Sequence, residues 1–152
     1  MSNATLTARS IDELTAATSQ IAPPSTNFLP VGLDVGNGAV KLFSSLGETL
    51  MESYVLYLSE RATHSNIGYV EYLEGSRSDL ANKQWVSGVN AYYQSPTGIS
   101  RVTDDRDGKA QLCLQLLLSA LTVQSHRPEW MLSIAASVHD GKVFGKSIRA
   151  AL

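Results

Sequence analysis

The chain contains a single cysteine, Cys113, in 152 residues. That excludes an internal disulfide and any metal cage made of cysteines alone, fits a reducing compartment, and marks Cys113 as a core residue. Positive charge is not in excess either, since 12 Lys and Arg stand against 14 Asp and Glu for a formal net charge of −2. Without a basic patch to meet phosphates, direct nucleic-acid binding is not expected. No window reaches roughly 18 uninterrupted apolar residues, and the N-terminus lacks the basic residues and apolar stretch of a secretory signal. The expectation is a cytoplasmic protein with no membrane contact.

What is there is an ordinary globular balance, 43% hydrophobic and 17% charged residues, in a length that suits one domain. Residues 1–29 are small and polar, rich in Ser, Thr and Ala, and end near Pro23, Pro24 and Pro30. They read as a flexible N-terminal leader, with Ser10 and Glu13 at capping-box spacing ahead of Leu14 for one short helix. Residues 30–152 form the folded part. Apolar runs at 29–35, 39–46 and 50–58, separated by glycine-containing turns, predict a β-meander. Gly68–Leu73 and Gln84–Val89 read as further strands, 76–82 as loop, and Ser95–Gly108 as polar and turn-rich.

"KAQLCLQLLLSALTVQ", residues 109–124, is the clearest helix, with Gln111, Gln115, Ser119 and Thr122 as one thin polar stripe. It must be covered on most sides. "WMLSIAASV", 130–138, suits a buried strand, and Val143, Phe144, Ile148, Ala151 and Leu152 recur at helical spacing. No stop signal follows, so the sequence is expected to be an excerpt of a longer architecture.

The chemistry sits in "VGLDVGNGAVKL", residues 31–42. Gly36 and Gly38 let backbone N–H groups approach a ligand unobstructed, which suits phosphate oxygens, and Lys41 is a compact charge able to reach the same phosphates. Asp34 cannot bind phosphate, but it can hold magnesium through the metal's waters while the ion bridges to the phosphates. The competing reading is a plain hairpin, with Asn37 and Gly38 in a type I′ turn and Lys41 in solvent. Asp34 tips the balance, because a carboxylate closing the run Val31, Gly32, Leu33 is poor strand material unless a cation or donor waits for it.

This stretch resembles the first phosphate-binding motif, DxGxxxxK, of the actin, sugar-kinase and heat-shock chaperone ATPase superfamily, and is most similar to the bacterial plasmid-segregation actins (ParM-type or StbA-type). Asp34, Gly36 and Lys41 occupy the three motif positions, and Asn37 follows the glycine as in the bacterial branch. "WVSGVNAYY", 85–93, resembles that family's VGxxA-like element, and "LSIAASVHDGKVFGKSIRAAL", 132–152, resembles the strand, loop and helix after its long helix. The likeness covers about 30–152, the first of two similar domains.

It implies an α/β, RNase H-like domain with a mixed five-stranded sheet and flanking helices. It also implies ATP (or GTP) with Mg as cofactors, Asp34 positioning magnesium through water, and Gly36, Asn37, Gly38 and Lys41 contacting the phosphates. The partners it implies are the nucleotide, further copies in filaments for plasmid segregation, and a DNA-bound adaptor. The family's second phosphate loop, adenosine-binding glycines and water-positioning side chain have no counterpart before Leu152. The full-length parent would hydrolyse ATP, while half a cleft should bind weakly and hydrolyse little.

Other residues carry less. His64, His126 and His139 lack ligand-like spacing, and His139 with Asp140 reads as a helix-capping loop. Ser119, Ser133 and Ser137 have no nucleophile-elbow context. Trp85, Trp130, Tyr92 and Tyr93 read as core or rim packing. Asp104, Asp105 and Asp107 with Gly108 lack the later glutamate of a calcium loop and read as helix-entry acids. Two alternative functions stand beside the filament ATPase. One is a non-catalytic assembly module derived from the same domain; the other is an RNase H-like metal-dependent nuclease, which wants further acids at later strand ends and a basic face.

Overall fold

The computed structural model describes residues 28–60, 67–124, 130–137 and 141–152. The leader up to residue 27, with the short helix expected near Leu14, and His64, His126, His139 and Asp140 lie outside the described residues.

The alternating run after Phe28 becomes β1 (Leu29–Val35), with Leu29, Val31, Leu33 and Val35 buried and the intervening residues on the opposite face. It is followed by β2 (Ala39–Ser44) and β3 (Gly47–Glu52), which complete an antiparallel meander. β4 (Tyr54–Leu58), β5 (Tyr69–Tyr72) and β6 (Lys83–Ser87) come next, with one 3-10 turn at Ser78–Leu80 between β5 and β6. Then come helix α1 (Val89–Gln94), the short β7 (Ser100–Arg101), the long helix α2 (Gly108–Leu121), β8 (Leu132–Ser137) and helix α3 (Gly141–Ala151).

The strands form two four-stranded sheets in the described residues, not the single five-stranded sheet expected. The first is mixed, ordered β3-β2-β1-β8, with β8 parallel to β1. The second is antiparallel, ordered β5-β6-β4-β7. The physical reason lies at Ser53. The apolar run 50–58 is broken there, because Ser53 leaves the ladder and donates both its N–H and its hydroxyl to the tip of the first hairpin. β4 therefore starts a new sheet instead of extending β3. A second boundary also moved: β6 stops at Ser87, and Gly88, at φ +72, turns the chain into α1, where the sequence suggested strand to Val89.

One core joins both sheets. Val31, Leu33, Val40 and Leu42 from the first sheet and Val55 and Trp85 from the second meet Leu112, Cys113, Leu116, Leu117 and Ala120 of α2 and Ile148 and Ala151 of α3. On the far side of the second sheet, Leu56 and Val86 pack with Ala91 of α1 and Ile99. That sheet is covered on both faces, as consecutive buried residues in β4 and β6 require.

The polar stripe of α2 is not solvated. Gln111 is exposed, but Gln115 and Ser119 are buried. Buried polar groups cost free energy unless bonded, and here all but the Gln115 Oε1, which has no partner among the described residues, join a chain of bonds. The Trp85 indole N–H is shared between the Gln115 backbone carbonyl (3.2 Å) and the Ser119 hydroxyl (3.1 Å), and Ser119 donates to the Ser87 hydroxyl at 2.8 Å. Gln115 donates its amide to the Tyr57 hydroxyl at 2.7 Å, and Thr122 accepts from the Gly68 N–H at 2.8 Å. Trp85 is thus core, while Tyr92 and Tyr93 are exposed and stack at the rim with Tyr54. The carboxylates of Asp104 and Asp105 accept bonds from the Arg101 and Asp107 N–H groups within the helix-entry loop.

Two measurements test this packing. Ser119→Ala leaves the Ser87 hydroxyl without that donor and should lower the denaturant-derived stability by about 1–2 kcal/mol. Burial pushes the Cys113 thiol from its ordinary value of 9.0 up to about 11, so it stays protonated near neutrality. It should resist a thiol reagent at pH 8 until the chain unfolds. The unfolded chain loses that proton first, so the thiol's contribution to stability is complete below about pH 9 and is lost as pH rises towards 11.

Candidate functional site

The two antiparallel partners β1 and β2 place Asp34 directly opposite Lys41, and the parallel partner β8 places Ser137 on its other side. Residues opposed in a ladder point to the same face. Asp34, Lys41 and Ser137 therefore share the face of the first sheet turned away from the core, beside the hairpin tip. Asp34 is half-buried, whereas Lys41 and Ser137 are exposed. No hydrogen bond or ion pair to the Asp34 carboxylate occurs among the described residues.

The tip itself is Gly36, Asn37 and Gly38, closed by a Gly36 N–H to Ala39 carbonyl bond of 2.9 Å. A Cβ on Gly36 would stand 2.7 Å from that Ala39 oxygen, so only glycine fits there, while a Cβ on Gly38 would meet nothing within 4 Å. The type I′ reading is corrected, because that turn needs positive φ at both central residues and neither Asn37 nor Gly38 has it. Ser53 holds the tip instead: its N–H donates to the Gly38 carbonyl at 3.1 Å and its hydroxyl to the Gly36 carbonyl at 2.9 Å.

The other motif stretches converge on the same place. Gly88 donates its N–H to the Tyr54 carbonyl at 3.0 Å, and a Cβ on it would lie 2.5 Å from Met51 Cγ, so the "VSG" turn sits against the β3–β4 junction that contains Ser53. "LSIAAS" supplies Ser137 beside Asp34. Sequence reasoning missed Ser53, whose one signal is that it interrupts an apolar run, and it missed the placement of Ser137, which has no local signal.

The arrangement fits a magnesium–phosphate ligand of the kind expected. The open space over Gly38 leaves room for an anion to approach the tip backbone, and Lys41 provides charge on the same face. No group of three or more His, Cys, Asp or Glu able to hold a metal exists among the described residues. Asp34 fits the role of a carboxylate that would hold magnesium through waters and ligand oxygens.

No protein-family model and no curated protein matches the chain. Solved structures do. A non-polymerisable quadruple mutant of pCBH ParM matches with TM-score 0.56 and 16% identity over 82% of this chain and 38% of that one. A 15-stranded ParM filament from Clostridium botulinum gives the same TM-score, identity and coverage. Bacillus thuringiensis ParM with ADP gives TM-score 0.53 and 16% identity over 79% of this chain and 37% of that one. The α/β fold is that of the ParM actins to which the motif stretches pointed, and the chain spans under two-fifths of the length of each of these.

The glycines of the tip should differ in tolerance. Gly36→Ala drives a methyl into the Ala39 carbonyl and should cost roughly 1–3 kcal/mol, measured by chemical denaturation. Gly38→Ala should stay within about 0.5 kcal/mol of the parent.

Proposed function

We propose that this chain is the first, nucleotide-contacting domain of an actin-like filament protein of plasmid segregation, with the RNase H-like organisation of that superfamily. In this reading Asp34 holds magnesium through its waters, the Gly36–Gly38 backbone and Asn37 meet the phosphates of ATP (or GTP), and Lys41 contacts the same phosphates. Magnesium, when bound, neutralises phosphate charge that the tip amides and Lys41 meet only in part. The carrying observation is the register that sets Asp34 opposite Lys41 beside a glycine tip, on a fold shared with ParM. One of the similar ParM structures is described with ADP and another as a filament, which supports nucleotide binding and self-association here. A cytoplasmic location and a DNA-bound adaptor follow from the same reading.

Hydrolysis needs groups that clamp the nucleotide and orient water, and these residues supply one side of such a site. The chain alone should therefore bind weakly and turn over little. The assembly-module reading shares the fold and differs in having no nucleotide. The ladder lends the nuclease reading no support, because the residues paired with Asp34 are Lys41 and Ser137, neither of them acidic.

Calorimetry with Mg–ATP tests the proposal on this chain, on Asp34→Ala, and on a product continued past Leu152. The expected result is weak binding here, tighter binding in the longer product, and a roughly 10–100-fold loss with Asp34→Ala. No magnesium-dependent binding in either length overturns it and leaves the assembly module.

A further inference from the structure

We propose that Ser53 positions the phosphate-binding turn, fixing the direction in which the tip amides point; this rests on the nucleotide reading above and deepens it. The tip's hydrogen bonding is one-sided. The Gly36 N–H, the Gly36 carbonyl and the Gly38 carbonyl are all occupied, by Ala39, the Ser53 hydroxyl and the Ser53 N–H respectively. The N–H groups of Asn37 and Gly38 donate to nothing among the described residues.

In a trans peptide the carbonyl and the following N–H point in opposite directions. Tying the Gly36 carbonyl down to Ser53 therefore aims the Asn37 N–H away from the protein, to the side left open at the tip. A segment of two glycines and an asparagine would otherwise sample many orientations, and an anion would have to order it on binding. Two bonds from one residue remove that freedom beforehand, which is the sense in which preorganisation raises affinity.

Ser53 is suited to this because it is enclosed and its neighbours are bonded into the second sheet. It is fully buried. The following residue, Tyr54, accepts from Gly88, and Gly88 abuts Met51, so the clamp is anchored to the second sheet and the start of α1. The hydroxyl is the side-chain half of the clamp and can be removed without removing the backbone half.

The test uses the full chain and three variants. Ser53→Ala deletes the hydroxyl bond, Ser53→Thr keeps it, and Ser53→Cys is nearly isosteric but a weak donor. Two quantities are read: the Mg–ATP dissociation constant by calorimetry, and the backbone order parameters of Asn37 and Gly38 by NMR relaxation without nucleotide. The expected result is tip order falling from about 0.85 to below about 0.6 in Ser53→Ala. Affinity should weaken roughly tenfold or more, with Ser53→Thr recovering most of both. If Ser53→Ala does not fold, Ser53→Cys must show the same loss of affinity at a nearly unchanged melting temperature. Unchanged affinity and unchanged tip order in a folded Ala or Cys variant overturn the proposal. If the parent chain binds no nucleotide while Ser53→Ala still loosens the tip, the nucleotide reading falls and the clamp stands.

Discussion

Helix α2 is apolar around most of its circumference, and such a helix is stable only where protein covers it on nearly every side. The arrangement of the rest follows from that demand. The first sheet supplies one wall through Val31, Leu33, Val40 and Leu42, the second supplies Val55 and Trp85, and α3 supplies Ile148 and Ala151. Because the cover is extensive, even Gln115 and Ser119 of the polar stripe are buried, and their groups must bond to the surrounding elements or cost free energy. The Trp85–Ser119–Ser87 chain and the Gln115–Tyr57 bond answer that cost and fix how α2 sits on the second sheet.

The same need to house α2 explains why the meander divides. A single sheet continuing through Ser53 would present one wall; breaking it there lets β4 begin a second. The break also frees Ser53 from the ladder and turns its two donors to the Gly36 and Gly38 carbonyls. The packing of the core and the shape of the candidate site thus meet in one residue. Asp34 and Lys41 need no such device, since the β1–β2 register holds them opposite each other.

Sharing a fold with ParM at 16% identity leaves function to be argued from the site. The site offers one carboxylate without a partner in the described residues, one lysine, and a tip whose Asn37 and Gly38 N–H groups donate to nothing among the described residues. In the nucleotide reading these groups would meet a metal-bound polyphosphate, whereas metal-dependent cleavage of nucleic acid wants clustered acids.

Much of this was legible in the sequence, and unevenly. Period-two burial in "LPVGLDV", the apolar run of α2 and the glycines around Asp34 are local patterns, and local patterns set which elements form and where they turn. The nearness of Asp34 and Lys41 was legible because a hairpin brings near neighbours in sequence together. The division into two sheets, the seat of Ser137 beside Asp34 and the grip of Ser53 on the tip were decided by tertiary structure. A sequence names the donors and acceptors a chain possesses, but a partner 17 residues away, beyond two further strands, is chosen only when packing around α2 fixes the strands in space.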